Sequence, residues 1–268
     1  MKYFAISLIL TFSNIFLSHP VHMVKDEAFH TNKIIAHRGA WKAKNLPQNS
    51  IASLEEAIRL GCEGSEFDVW MTMDSVLVVN HDADFYGMPI ESSTYKALLE
   101  KKHPNGEQIP TVEKYLKKGM EQNGTKLIME LKTSTVSKER SLSLAKNAVK
   151  LVKDLGAEKW VDYIAFDYDM CEKIIAEDHN ANVAYLYGNK SPEELKKAGF
   201  FGLDYHFSIF RKNPQWINEA HDLGLTVNAW TVNKEEDMQW LLDQQVRFIS
   251  TDEPELLFKL INNSNLRM

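Results

Sequence analysis

From Lys33 onward, short apolar runs rich in β-branched residues alternate with longer stretches in which apolar positions recur every three or four residues. The short runs are Ile34-Ile35-Ala36, Ser65 to Val69, Leu127 to Leu131 and Tyr163 to Phe166, then Val183 to Leu186, a stretch around Gly202 to Tyr205, Thr226 to Val232, and Phe248-Ile249. Among the longer stretches, Ser50 to Leu60 carries Ile51, Leu54, Ala57 and Ile58 on one helical face, with Ser50 placed as its N-cap. Val112 to Met120, Lys138 to Leu155, Asp169 to Glu177, Pro192 to Ala198, Pro214 to Leu223 and Lys234 to Asp243 follow the same period. Eight strands joined by helices predict an α/β protein, a single (β/α)8 TIM barrel uninterrupted by repeats or linkers.

One further run, Val76 to Asn80, falls too soon after Val69 for a parallel crossover, which needs a dozen or more residues. It therefore predicts an antiparallel β-hairpin excursion after strand 2, with Asp74-Ser75 as the turn. A two-residue turn pairs Met73 with Val76 and so sets Asp68 opposite His81, with Glu66 on the same face.

The segment before the barrel changes the picture at one end only. Lys2 is followed by an apolar stretch, Tyr3 to Leu17, broken by Thr11, Ser13 and Asn14 and ended by Ser18-His19-Pro20. Residues 1–23 are expected to be a signal peptide or N-terminal targeting segment, and residues 24–268 the barrel domain. The expected location is exported, periplasmic or secreted, with tethering to a membrane if the segment is not cleaved. The stretch is short for a membrane span, so the mature chain is expected to carry no stable one. Nothing in the pattern speaks to oligomeric state. Of 268 residues, 44% are hydrophobic and 25% charged, which is ample material for a core. A formal net charge of -6 gives no basic footprint, so nucleic acid is not an expected partner. Cys62 and Cys171 fall in different units and read as small buried residues rather than a disulfide.

Candidate chemistry gathers at the predicted strand ends. Glu66 and Asp68 point the same way from one strand, and Glu130 interrupts the apolar run Leu127-Ile128-Met129. An acid in such a strand is expensive unless it meets a cation. Three convergent carboxylates without cysteine suit a hard divalent metal, Mg²⁺ or Ca²⁺; an ion pair of Glu130 with Lys132 is the simpler alternative. His37 closes the first run and is followed by Arg38-Gly39, at the strand end that faces the active mouth of a parallel barrel. A guanidinium there can hold a phosphate by two hydrogen bonds. His37 and His81 together would supply a general base and a general acid. Three carboxylates and a phosphodiester would be balanced in charge by a divalent ion, Arg38 and Lys132.

These residues carry a family resemblance. Ile34-Ile35-Ala36-His37-Arg38-Gly39-Ala40 with Pro47-Gln48-Asn49-Ser50, Glu66-Phe67-Asp68-Val69, Val78-Val79-Asn80-His81-Asp82, Ile109-Pro110-Thr111-Val112, Met129-Glu130-Leu131-Lys132, Ala229-Trp230-Thr231-Val232-Asn233 and Ile249-Ser250-Thr251-Asp252-Glu253-Pro254 resemble, in order, the glycerophosphodiester phosphodiesterases. The resemblance implies a barrel enzyme that uses a divalent metal to hydrolyse small glycerophosphodiesters to glycerol 3-phosphate and an alcohol. It implies Glu66, Asp68 and Glu130 as metal ligands and His37 and His81 as the acid–base pair. Arg38 and Lys132 would be cations for the phosphate, and Trp230 would pack against the glycerol moiety or fill the barrel. Asp252 and Asn233 are read as structural. The chain departs from the family pattern at Gln48, where an acid is usual, and after Asp82, where Ala83-Asp84-Phe85-Tyr86-Gly87 opens an insert reaching Pro110. Two other readings stay open. One is a related enzyme for a lysophospholipid or phosphoinositol-type substrate, with Phe85, Tyr86 and Phe207 exposed near the mouth. The other is a non-catalytic barrel that captures phosphorylated ligands.

Overall fold

A computed structural model describes residues 28–265. The expected targeting segment, residues 1–23, lies outside the described residues. The first half of the chain runs β1 (Ile34–Ala36), α1 (Ile51–Leu60), β2 (Gly64–Met71), β3 (Leu77–Val79), β4 (Asp84–Phe85), β5 (Met88–Pro89), α2 (Tyr95–Leu98), α3 (Val112–Gly119), β6 (Lys126–Leu131) and α4 (Lys138–Leu155). The second half runs β7 (Val161–Ala165), α5 (Tyr168–Glu177), β8 (Val183–Tyr185), α6 (Pro192–Lys197), β9 (Gly202–His206), α7 (Phe207–Lys212), α8 (Gln215–Asp222), β10 (Thr226–Trp230), α9 (Glu235–Asp243), β11 (Phe248–Thr251) and α10 (Pro254–Asn265).

The strands pair in parallel in the order β1-β11-β10-β9-β8-β7-β6-β2, and the β1–β2 pairing closes the ring. The result is the predicted (β/α)8 barrel. Alternation along each strand separates two cores. Ile34, Ala36, Phe67, Val69, Leu127, Met129 and Leu131 face the helices, whereas Ile35, Ile128, Ile164, Ala184 and Leu186 fill the interior. Gly64 makes that filling possible, because a Cβ there would lie 2.7 Å from Ile35 Cδ1 and 3.1 Å from Ile128 Cγ1. Helix α1 begins as its sequence predicts, with Ser50 Oγ accepting from the Ser53 N–H, and ends at Gly61 in the left-handed region. Cys62 and Cys171 are buried and unpaired, as expected. Among the described residues, no helix is long and apolar enough to cross a membrane.

The hairpin forms, but one residue out of the expected register. Val69 pairs with Val79 and Met71 with Leu77, so Asp68 faces Asn80, whose N–H donates to the Asp68 carbonyl at 3.0 Å. The turn is longer than two residues because its side chains build a different closure. Thr72 bonds Val76 across the strands, Thr72 Oγ1 also accepts the Val76 N–H, and Asp74 Oδ1 receives Thr72 Oγ1 at 2.6 Å. Met73 gives its N–H to Ser93 of the insert, and Ser75 takes a left-handed φ of 64°. Met73-Asp74-Ser75 is thus a three-residue loop whose last residue is left-handed.

The insert packs on β2 beyond the barrel and builds a small core of its own from Trp70, Val78, Phe85, Ile90, Leu98 and Ile109. Phe85, expected to be exposed at the mouth, is 1% exposed and lies edge-on to Tyr86 and His103. Phe207, also expected to be exposed, packs half-buried against the main core. The insert is clamped to the loop after β6 by Glu91, whose carboxylate accepts from Ser134, Thr135 and Arg140, while Arg140 also caps the Met71 and Thr72 carbonyls.

A left-handed L-residue is strained by ~1–2 kcal/mol, and glycine relieves this at some cost in chain entropy. Ser75→Gly is therefore expected to raise stability by roughly 0.5–1 kcal/mol, seen as a higher urea midpoint; a lowered midpoint would mean that the Ser75 side chain stabilises the loop.

Candidate active site

The barrel's C-terminal mouth is built by strand ends. β1 delivers His37 and Arg38, β2 delivers Glu66 and Asp68, and β6 delivers Glu130 and Lys132. Parallel pairing sets Asp68 beside Glu130, and ligand oxygens of Glu66, Asp68 and Glu130 all lie within 4.8 Å of one another. All three side chains are buried.

Each carboxylate is held differently. Asp68 accepts Lys132 Nζ at 2.6 Å on one oxygen and Asn49 Nδ2 at 2.7 Å on the other, with Arg38 Nε 3.7 Å away. Burial alone would push Asp68 up, but Lys132, His81 and Arg38 outweigh it and hold the group below its ordinary range. Glu130 shares Lys132 Nζ at 2.5 Å, yet burial and the Asp68 charge push it up to about 7. Glu66 accepts the Arg38 N–H at 2.8 Å on Oε2, while its Oε1 is buried without a hydrogen-bond partner. Burial, followed by the charges of Asp68 and Glu130, raises it well above the usual carboxylate range. A hard, oxygen-liganded cation fits this donor set: it would satisfy the orphaned Glu66 oxygen and keep all three groups ionised. The Glu130–Lys132 ion pair foreseen as the alternative is present as well, so Lys132 lies against carboxylates rather than free in the mouth.

Arg38 takes a left-handed φ of 57°, fixed by Glu66 on its N–H and by the Asn49 N–H and Ser53 Oγ on its carbonyl. Strain of this kind is held in place only by surrounding contacts. Its Nη1 donates to Gln48 Oε1 at 2.7 Å. Gln48 is neutral, so this contact orients the guanidinium without cancelling its charge. Arg38 Nε is buried and, apart from the longer ion-pair contact with Asp68, has no hydrogen-bond partner.

His37 Nδ1 lies 2.8 Å from Asp252 Oδ1, and its Nε2 lies 4.0 Å from Glu66 Oε2. Asp252 in turn accepts from Asn233 Nδ2 at 2.7 Å, and Asn233 Oδ1 receives the Asp252 N–H. Burial opposes ionisation of Asp252, but the hydrogen bonds from His37 and Asn233 prevail and lower its pKa. Asp252 and Asn233, read from the sequence as structural, thus orient an imidazole; the signal lay in their place at neighbouring strand ends. His81 does not sit opposite Asp68. It follows the end of β3, with Nδ1 2.8 Å from Asp82 Oδ1 and its carbonyl held by Trp70 Nε1 at 3.1 Å. Burial lowers its pKa, partly offset by Asp68.

Two cavities meet here. An inner one of about 120 Å³ is lined by His37, Arg38, Glu66, His81, Glu130 and Lys132 on one side and by Ile164, Phe166, Leu186, Asp204 and Trp230 on the other. An outer cleft of about 470 Å³ shares Arg38 and His81 and extends over Trp41, Asp82, Asp84, Tyr86 and His103. Trp230 stands edge-to-face with Phe166 and His206. Asp204, buried and lining the inner cavity, was not foreseen.

Positive charge, paired imidazoles and a cation-seeking carboxylate cluster at one barrel mouth suit cleavage of a phosphoric diester, and that is the class of hydrolase to which this fold and site point. Residues 37–256 match the Glycerophosphoryl diester phosphodiesterase family, and the chain belongs to it. It is similar to a crystal structure of a glycerophosphodiester phosphodiesterase from Parabacteroides distasonis, with 42% identity, a TM-score of 0.85, and coverage of 89% of this chain and 100% of that one. A glycerophosphodiester phosphodiesterase of Caldanaerobacter subterraneus subsp. tengcongensis is 28% identical over 85% of this chain and 97% of the relative. An Oleispira antarctica phosphodiesterase, solved in complex with the product sn-glycerol-3-phosphate, shares the fold with 23% identity and a TM-score of 0.73, covering 86% of this chain and 96% of that one.

Glu130 binds its proton more tightly in the fold, at about 7, than in the unfolded chain, where it titrates in the ordinary glutamate range near 4.5. Between those values the native state holds more protons than the unfolded one, so this group adds stability at low pH that is lost as pH rises through about 7. In EDTA, Glu130→Gln is expected to gain stability relative to the wild type between pH 5.5 and pH 8, read from urea midpoints. A constant difference across that interval would count against a proton on Glu130.

Proposed function

We propose that the protein hydrolyses glycerophosphodiesters to glycerol 3-phosphate and an alcohol, with Mg²⁺ or Ca²⁺ held by Glu66, Asp68 and Glu130. The observation that carries this reading is the carboxylate triad, within 4.8 Å and with one orphaned oxygen, beside the Arg38 guanidinium, whose Nε makes no hydrogen bond. When bound, such a cation would polarise the phosphoryl group and offset the charge that develops on it. Arg38 is aimed at the phosphate by Gln48 and by its fixed backbone. Lys132 bridges Asp68 and Glu130 and offsets part of their mutual repulsion. The Asp252 carboxylate takes the Nδ1 proton of His37 in a hydrogen bond, so Nε2 faces the mouth as the working nitrogen. His81, which lines both cavities, flanks the bond to the departing alcohol, and His37 flanks the other side. Between them the two imidazoles remove a proton from the nucleophile and return one to the leaving oxygen.

The two cavities support a small substrate. The inner one suits a glycerol-sized group. The outer cleft offers the alcohol room and an open exit beside Asp82 and Asp84. With Phe85 buried beneath Tyr86 and His103, the aromatic edge suggested for an acyl chain is reduced.

The direct test is a panel of glycerophosphodiesters and of Mg²⁺, Ca²⁺ and Mn²⁺ on EDTA-treated protein, following release of glycerol 3-phosphate. Activity is expected to vanish with EDTA and to return with at least one ion; turnover that survives exhaustive chelation would remove the cation from the mechanism. His37→Ala and His81→Ala should each slow turnover roughly 10²–10⁴-fold with melting temperature retained. Asp252→Asn, which spoils the orientation of His37, should cost about 10–100-fold, mainly in kcat.

A further inference from the structure

Asp204 projects from β9 into the inner cavity, and neither the cation triad nor proton transfer uses it. It is 2% exposed, and its Oδ1 is buried without a hydrogen-bond partner. The other buried acids are provided for: Glu56 meets Lys44 and Arg59, Glu63 meets Arg247, Asp162 meets Lys126, and Glu66, Asp68 and Glu130 make up the triad. Among the described buried acids, Asp204 alone has neither a cationic partner nor a place in that cluster. Burial, opposed only by a hydrogen bond from Asn228, pushes it up to about 7. An unsatisfied buried carboxyl oxygen is destabilising, so its position asks for a ligand.

The surroundings specify that ligand. On this side the cavity walls are Ile164, Phe166, Leu186 and the face formed by Trp230. Trp230 Nε1 donates to the Asp204 carbonyl at 2.8 Å, which fixes the indole beside the carboxyl-bearing residue. The far side of the same cavity carries Arg38 and the triad. A molecule that spans it must be anionic at one end, carbon-bodied in the middle and hydroxylated at the other. We propose that Asp204 is the specificity residue for the glycerol hydroxyls of the substrate: the phosphate lies at Arg38, the carbon skeleton lies against Trp230, Phe166 and Leu186, and a free hydroxyl donates to the Asp204 carboxyl group. This rests on the phosphodiesterase reading and adds to it why the non-departing half is glycerol rather than a plain alkyl group.

The test compares binding of sn-glycerol 3-phosphate with propyl phosphate, which keeps the phosphate and three-carbon chain but has no hydroxyl, by calorimetry in the presence of Mg²⁺. Wild type is expected to favour glycerol 3-phosphate roughly 10–100-fold, as a hydrogen bond to a charged buried group allows. Asp204→Ala should bind the two alike with propyl phosphate affinity unchanged. Asp204→Asn, which keeps an accepting oxygen and the packing, should retain part of the preference. The idea fails if wild type shows no preference or if Asp204→Ala keeps it. It also fails if Asp204→Ala weakens both ligands equally, which would put the residue in the phosphate or cation site. Glycerophosphocholine hydrolysis measured on the same samples separates the two readings. Preference without turnover sinks the phosphodiesterase function and leaves Asp204 as the hydroxyl receptor. Turnover without preference sinks the present proposal alone.

Discussion

Three carboxylates cannot share a buried barrel mouth unless positive charge is built in among them, and Lys132 answers that constraint. Its ammonium lies 2.6 Å from Asp68 and 2.5 Å from Glu130, and their charges hold it protonated more firmly than usual, against the effect of burial. One lysine does not suffice. Asp68, which also has Asn49 and Arg38, stays ionised, whereas Glu130 is pushed up to about 7 and Glu66 rises well above its ordinary range. The cluster therefore remains short of positive charge, and a divalent ion is the natural remedy because it favours ionised oxygen ligands. Removing one partner of such a buried set is worse than never having built it. That explains why β2, β6 and the turn after β1 are tied to one another through hydrogen bonds rather than through apolar contact alone.

The barrel was legible because its signals are periodic: runs such as Leu127 to Leu131 face helices and interior on alternate residues, and the sequence carries that alternation directly. The acids were legible for the related reason that Glu130 breaks an apolar run. What escaped reading depends on contacts between distant segments. The hairpin register turned on the Thr72 hydroxyl donating to Asp74 and on Met73 pairing with Ser93, and a one-residue change in a turn moves every cross-strand pair. Asp252 and Asn233 looked structural because their partner, His37, lies at the opposite end of the chain. Asp204 sits in a strand of ordinary appearance, and only barrel closure shows that no cationic side chain among the described residues pairs with it.

The register also explains how His81 arrives. Had the hairpin closed on two residues, His81 would have stood opposite Asp68 within a regular ladder. Instead β3 ends at Val79, Asn80 ties down the next turn through the Asp82 and Asp84 carbonyls, and His81 emerges where the inner cavity opens into the outer cleft. The imidazole that borders both spaces is thus carried by a turn, whereas His37 stands at the end of a barrel strand with a carboxylate behind it. The two histidines have similar chemistry but unequal mechanical support.

The clamp through Glu91 bears on how such a barrel can diversify. The insert after β3 forms one wall of the outer cleft, but Glu91 binds Ser134, Thr135 and Arg140 from the segment that follows Lys132, and Arg140 reaches back to Met71 and Thr72. Exchanging the insert alone between related barrels would strand an arginine and leave the loop behind Lys132 without its anchor. The insert and the loop after β6 are thus one heritable module, and a graft intended to change the accepted alcohol would have to carry both.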